Sequence, residues 1–262
     1  MSRSPGPPAT RGLDASASFG GGSNSAGDTK VSLSTQIYLS IRDGIILGRY
    51  PQGSRLAEQR LAQELEVSRI PLREAVPLLE MHGFVQTSPR RGAVVSTWDA
   101  KAVDDLFDLR LCLEVGATRY AAGRVAAGAP THRLKQVLAE TRRVVHDRDP
   151  YGIAAASAEF HEAVVAQADN ALMTTLMQSI SGRMTWLFYL TSQLDVDDAF
   201  SDHVELCEAI ISGNERVAEA LAYAHIERDR KPSFAALKTG HVLPEVSAHR
   251  RHRKVDADQG QA

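Results

Sequence analysis

Residues 61–76 read Leu61-Ala62-Gln63-Glu64-Leu65-Glu66-Val67-Ser68-Arg69-Ile70-Pro71-Leu72-Arg73-Glu74-Ala75-Val76. Leu61, Ala62 and Leu65 form the apolar stripe of a short helix over Glu58–Leu65. Glu66-Val67 makes a tight turn, and Ser68 is placed to cap a further helix running from Arg69 to about His82, which Gly83 ends. Arg69 and Arg73 stand four residues apart and so leave that helix on one face. A helix entering the major groove of DNA leads with its N-terminal turn. An arginine there can form a bidentate pair with guanine O6 and N7, while Ser68 and the free backbone N–H groups can hold a phosphate.

The flanks complete the unit. Ile37, Ile41 and Ile45 recur at helical spacing, and Gly48 with the Tyr50-Pro51-Gln52-Gly53 turn closes that first helix. Beyond Gly83, two β-prone segments, Phe84–Thr87 and Ala93–Ser96, are joined by Ser88-Pro89-Arg90-Arg91-Gly92, a basic tip with a flexible glycine. Helix, helix, turn, helix and hairpin is the order of a winged helix-turn-helix, assigned to residues 31–98. Pro77 lies inside the third helix and removes its bond to the Arg73 carbonyl, so a bend is expected there.

Residues 99–238 are helical throughout. Breaks at Gly128-Ala129-Pro130, Asp149-Pro150, Asp169-Asn170, Asp195–Asp198 and Gly213-Asn214 mark six helices, near 100–126, 131–148, 151–168, 171–193, 199–212 and 214–237. The fold class is therefore mostly α: an N-terminal winged helix-turn-helix followed by an all-helical bundle of about six helices. Residues 1–30, rich in Gly, Ser, Pro and Ala, read as a disordered arm. Residues 239–262, with the run His249-Arg250-Arg251-His252-Arg253-Lys254, read as a basic tail.

Composition narrows the function. A net charge of -2 over 262 residues excludes a bulk polycation, so a nucleic-acid site must be local. Between Ser34 and Trp98 eight arginines meet six acids, a balance of +2 that leaves -4 for the rest. Cys112 and Cys207 match no metal or redox spacing, which points to a reduced, cytoplasmic setting. No apolar run approaches 18 residues, so no membrane-spanning helix is expected, and no apolar stretch follows Arg3 and Arg11 to make a secretory signal.

The segments Gly48–Leu56, Leu61–Glu74, Leu79–Val85 and Pro89–Val95 resemble the winged helix-turn-helix of the GntR family. The resemblance implies DNA contact by Ser68, Arg69 and Arg73, and by Arg91 and Gly92 in the wing. Gln59 falls where some members carry a contacting arginine. Val103-Asp104-Asp105-Leu106-Phe107-Asp108-Leu109-Arg110-Leu111-Cys112-Leu113-Glu114 resembles the opening of the helical effector domain, the FCD type, of the FadR-like branch. That implies a ligand-responsive regulator, most often a repressor, bound as a homodimer to inverted-repeat operator DNA.

Arg110 and Arg183 both sit on apolar stripes. A charge pointing inward requires a partner, either a carboxylate effector or an internal acid such as Glu114. His161, His203 and His225 lie on inward stripes of three different helices. They read as hydrogen-bonded core residues, or together as ligands of a divalent metal such as zinc, nickel or manganese. Many members of the branch carry an aspartate one turn before the first of these histidines; here that position is Ser157. The rival function is a metal-dependent hydrolase with a DNA-binding appendage, though the chain shows no nucleophile motif, phosphate loop or paired-carboxylate spacing. A structural chromosome-binding protein is disfavoured by the near-neutral charge.

Overall fold

The computed structural model describes residues 31–89, 91–191 and 196–238. The expected arm and tail, over 1–30 and 239–262, and Arg90 of the wing lie outside them. Among the described residues there are nine helices and one three-stranded sheet.

Helix α1 (Leu33–Ile46) is capped by Ser32, whose Oγ accepts from the Thr35 N–H at 3.1 Å, and it buries Ile37, Ile41, Ile45 and Ile46. Helix α2 (Glu58–Glu64) buries Leu61, and the Tyr50 hydroxyl ties it down by donating to Glu64 at 2.9 Å. The turn after it needs Glu66 at φ +53°, and α3 (Arg69–Met81) follows, burying Leu72, Ala75 and Leu79. Pro77 sits on the exposed side of α3, so the Arg73 carbonyl it leaves without a partner lies at a water-exposed residue.

The wing has one more strand than its sequence suggests. β1 (Arg55–Leu56) pairs antiparallel with β3 (Gly92–Val95), which also pairs with β2 (Val85–Ser88), giving the order β1-β3-β2. Only Leu56 of β1 is buried, and a two-residue strand carries no readable periodicity.

The remaining six helices are α4 (Ala100–Ala126), α5 (His132–Asp147), α6 (Pro150–Gln167), α7 (Ala171–Thr191), α8 (Val196–Ile211) and α9 (Glu215–Lys238). Asp99 caps α4 by accepting from the Ala102 N–H at 2.7 Å. Pro150 opens α6, where a missing N–H costs nothing.

α3 and α7 meet at a defined joint. α3 ends in a Schellman motif: the Gly83 N–H donates to the Glu80 carbonyl and the Phe84 N–H to the Leu79 carbonyl, with Gly83 at φ +72°. Phe84, fully buried, then stacks on Trp186 of α7 at 5.7 Å, and Trp98 meets the same indole edge-on. On the other side of the joint, the Tyr151 hydroxyl of α6 donates to Asp43 of α1 at 2.8 Å.

Candidate functional site

The DNA-facing surface is built by the first turn of α3. Ser68 occupies the N-cap with extended backbone, but its hydroxyl caps nothing, so the first N–H groups of the helix keep their capacity for an oxyanion. Ser68, Arg69 and Arg73 are exposed. Arg73 Nε donates to Glu58 Oε2 at 3.1 Å with both side chains well exposed. A pair of that kind is worth ~1 kcal/mol or less and is easily exchanged for a base or phosphate. Gln59 lies exposed on the first turn of α2. Arg91 and Gly92 hold the wing tip, Gly92 at φ +69° with nothing closer than 3.9 Å to where a Cβ would stand.

One exposed apolar residue on the first turn of α3 escaped the sequence reading. Ile70 is 72% exposed beside Arg69, a position where an aliphatic side chain can meet only solvent or the C5-methyl of a thymine. The signal available in the sequence was its place two residues after the helix N-cap, Ser68.

The second constellation lies in the helical domain. α6 contributes His161, α8 His203 and α9 His225; all three are buried, and one ring nitrogen of each lies within 4.8 Å of the others. The imidazole centroids are 4.9–5.2 Å apart, and His203 also stacks on Phe160 at 4.5 Å. A cavity of about 270 Å³ opens beside them, walled by His161, His203, Ser157, Phe188, Asp202 and Asp229 among others.

Arg110 of α4 packs against this cluster with no exposure at all. Its Nε donates to Glu114 Oε1 at 2.8 Å and its Nη2 to His161 Nε2 at 3.2 Å, while Nη1 makes no hydrogen bond. The nearest anion to Nη1 is Asp229 Oδ2, at 3.9 Å. Glu114 therefore supplies the internal acid, and it also takes the His161 Nδ1 proton at 2.7 Å through Oε2. Burial pushes the Glu114 carboxyl up, but Arg110 and His161 outweigh it and bring it down to about 2.

Burial keeps His161 neutral against the pull of Glu114, with Arg110 adding to the depression, and His203 is driven well below its usual range by burial and by its cationic and imidazole neighbours. Because Glu114 is a pure acceptor, His161 carries its proton on Nδ1, and its Nε2 lone pair accepts from Arg110 Nη2. Two other buried nitrogens, His203 Nδ1 and His225 Nδ1, have no hydrogen bond; Asp202 Oδ2 stands 3.5 Å from the latter, too far to satisfy it. Three buried imidazoles, one ring nitrogen of each within 4.8 Å of the others, are a donor set that fits a borderline-soft divalent ion.

Arg183 does not join this cluster, which corrects the expectation of an effector contact. It sits at the α3–α7 joint, where Nη1 donates to the Gly83 carbonyl at 3.0 Å and the guanidinium lies 4.2 Å from the centre of the Trp98 ring. The apolar stripe on which Arg183 lies does point inward, but toward the winged domain. Asp202 was missed because it faces His225 across two helices, whereas Asp229, one turn after His225 on the same face of α9, was within reach of the i,i+4 spacing.

A winged helix-turn-helix joined to a six-helix domain with a buried histidine cluster defines a class of bacterial transcription factor. The chain belongs to the GntR family: residues 33–95 match the family of bacterial regulatory proteins of that name, and residues 105–228 match the FCD domain. It is similar to the Nta operon transcriptional regulator of Aminobacter aminovorans, 29% identical over 185 residues, covering 67% of this chain and 82% of that one. An HTH-type transcriptional regulator of Agrobacterium vitis is 30% identical over 133 residues, covering 50% of this chain and 78% of the relative. A solved GntR regulator from Rhodococcus sp. RHA1 shares the fold, with a TM-score of 0.69 at 23% identity over 79% of this chain and 99% of that one. The protein is accordingly a transcriptional regulator and not an enzyme, and the hydrolase alternative is set aside. Among the described residues, no helix is long and apolar enough to cross a membrane.

Proposed function

We infer that the protein is a metabolite-responsive repressor of the cytoplasm: a homodimer that reads inverted-repeat operator DNA and whose grip is set by a small carboxylate in the helical domain. The observation that carries this reading is Arg110, a fully buried guanidinium whose Nη1 makes no hydrogen bond and whose nearest anion, Asp229 Oδ2 at 3.9 Å, belongs to a residue on the wall of the cavity. A permanent cation in the core costs several kcal/mol unless anions meet it, and Glu114 meets only Nε. A ligand carboxylate is the natural complement to the rest.

His161, His203 and His225 would hold the divalent ion, zinc, nickel or manganese, whose charge would help to fix the same carboxylate. On the DNA side, Arg69 and Arg73 would read bases from the leading turn of α3. Ser68, Gln59, Arg91 and Gly92 would position the domain on phosphates. One such helix covers few base pairs, so two copies on a two-fold site are needed for selectivity. Leu109, Cys112 and Tyr120, exposed along one side of α4, support a contact between copies through the helical domain.

The test begins by selecting bound fragments from a random DNA pool. Gel-shift titration on the selected site follows, with and without a panel of metabolite carboxylates, while light scattering reads the oligomeric state. The expected result is a palindromic site, a dimer, and at least one carboxylate that shifts affinity by about 5- to 150-fold. A monomer with full operator affinity overturns the dimer, and a panel that leaves both affinity and thermal stability unchanged overturns the carboxylate switch.

A further inference from the structure

We propose that Asp229 is the anionic ligand of the histidine site, supplying from α9 the charge that the neutral Ser157 cannot. The proposal rests on the reading of the three histidines as metal ligands and adds a fourth, named residue to it.

The charges of the pocket require such a residue. An ion held by neutral imidazoles would leave two positive charges beside Arg110, a third, in a site from which bulk water is largely excluded. Of the three nearby carboxylates, Glu114 is spent on Arg110 Nε and on the Nδ1 side of His161, the edge of the ring that faces away from Nε2. Asp202 lies on the Nδ1 side of His225 and is paired with Arg228. Asp229, though its Oδ2 is also 3.9 Å from Arg110 Nη1, is the one of the three that stands at an Nε2 edge, that of His225.

The distances agree. His225 Nε2 is 3.4 Å from His161 Nε2 and 3.6 Å from Asp229 Oδ2. Two ligands bound at about 2.1 Å to one tetrahedral ion are about 3.4 Å apart, close to both separations; only the three histidine nitrogens all lie within 4.8 Å of one another, so the Asp229 side chain must rotate toward them to complete the set. Asp229 follows His225 by one helical turn and projects from the same face of α9, so no change of backbone is needed to bring both to one centre. Behind them, Glu114 and Asp202 sit at the Nδ1 atoms of His161 and His225. This is the outer-sphere placement that orients metal-bound imidazoles with Nε2 inward.

The test uses the full chain, stripped of metal and titrated with cobalt(II), with zinc, nickel and manganese run in parallel. Wild-type protein is expected to bind one cobalt per chain, and Asp229→Asn to bind at least tenfold more weakly with altered visible bands. Ser157→Asp in the Asp229→Asn background should restore affinity. Asp229→Cys gives a gain of signal: a thiolate-to-cobalt charge-transfer band in the near ultraviolet, which wild type, with only Cys112 and Cys207, should lack. Wild-type affinity in Asp229→Asn together with no such band in Asp229→Cys overturns the assignment, and binding still abolished by His161→Ala leaves the histidine site standing. Absence of any tight metal in wild type overturns the histidine reading and Asp229 with it.

Discussion

Replacing Gly83 by alanine tests the joint between the DNA-reading helix and the sensor domain. Two separate penalties meet at this residue. Its φ of +72° is the left-handed conformation that closes the Schellman motif, and a residue with a Cβ pays ~1–2 kcal/mol to adopt it. The new methyl carbon would also stand 2.8 Å from Arg183 Nη1 and 3.0 Å from its Cδ, so the guanidinium must move. Displacement forfeits the charged hydrogen bond to the Gly83 carbonyl, ~1.5–3 kcal/mol, though the stacking on Trp98 can persist. Gly83→Ala should therefore cost ~2.5–5 kcal/mol and Arg183→Ala ~2–4 kcal/mol. The hydrogen bond can be lost only once, so the double variant should fall short of the sum by ~1.5–3 kcal/mol. Urea unfolding of the four proteins measures this directly, since the midpoints shift while the slope stays constant. Costs that add to within ~0.5 kcal/mol, or a Gly83→Ala protein as stable as wild type, would refute the coupling of these two residues.

Further outcomes follow from the two sites. Arg69→Ala and Arg73→Ala should each lose ~1–3 kcal/mol of operator binding and relax selectivity at one base pair, whereas Arg91→Ala should weaken all sequences alike and lower the salt slope by about one; gel-shift titrations at several salt concentrations separate the two patterns. A His161→Ala/His203→Ala double variant should lose any stoichiometric metal that wild type carries, by elemental analysis, and its thermal midpoint should no longer respond to chelator. Burial and the charge of Asp43 lift the Tyr151 hydroxyl to about 12, so this group stabilises the fold fully below pH 10 and the contribution disappears as pH rises through 12. Tyr151→Phe should accordingly show a shallower alkaline loss of stability than wild type in urea midpoints measured between pH 9 and about 12.

The helices were legible because each buries a stripe long enough to repeat: Ile37, Ile41 and Ile45 mark α1 by their spacing alone. β1 was not, since two residues held by register to Val94 and Ala93 leave no pattern of their own. Stripe reasoning also located the three histidines and Arg110, because inwardness is a local property of one helix. Which neighbour lies inward is not local. Arg183 shows the difference: it points toward the core from α7, yet its partner is the Gly83 carbonyl, a hundred positions earlier in the chain. Asp202 is adjacent in sequence to His203 but approaches His225 on another helix, and the approach of Asp229 to Arg110 appears only when α9 is set against α4, although its place one turn after His225 is written in the spacing.

The single uninterrupted helix α7 carries Gly182, Arg183 and Trp186 at the joint and Phe188 and Thr191 on the pocket wall. Five residues separate Arg183 from Phe188, about 7.5 Å along the axis. Mechanically this is a short stiff rod with a bearing at one end and a load at the other, and no hinge lies between them. A tilt imposed at Phe188 must reappear at Arg183 and Trp186, where it presses on the glycine that terminates α3. If the pocket and the DNA-reading helix communicate as proposed, the signal has only to cross little more than one turn of α7.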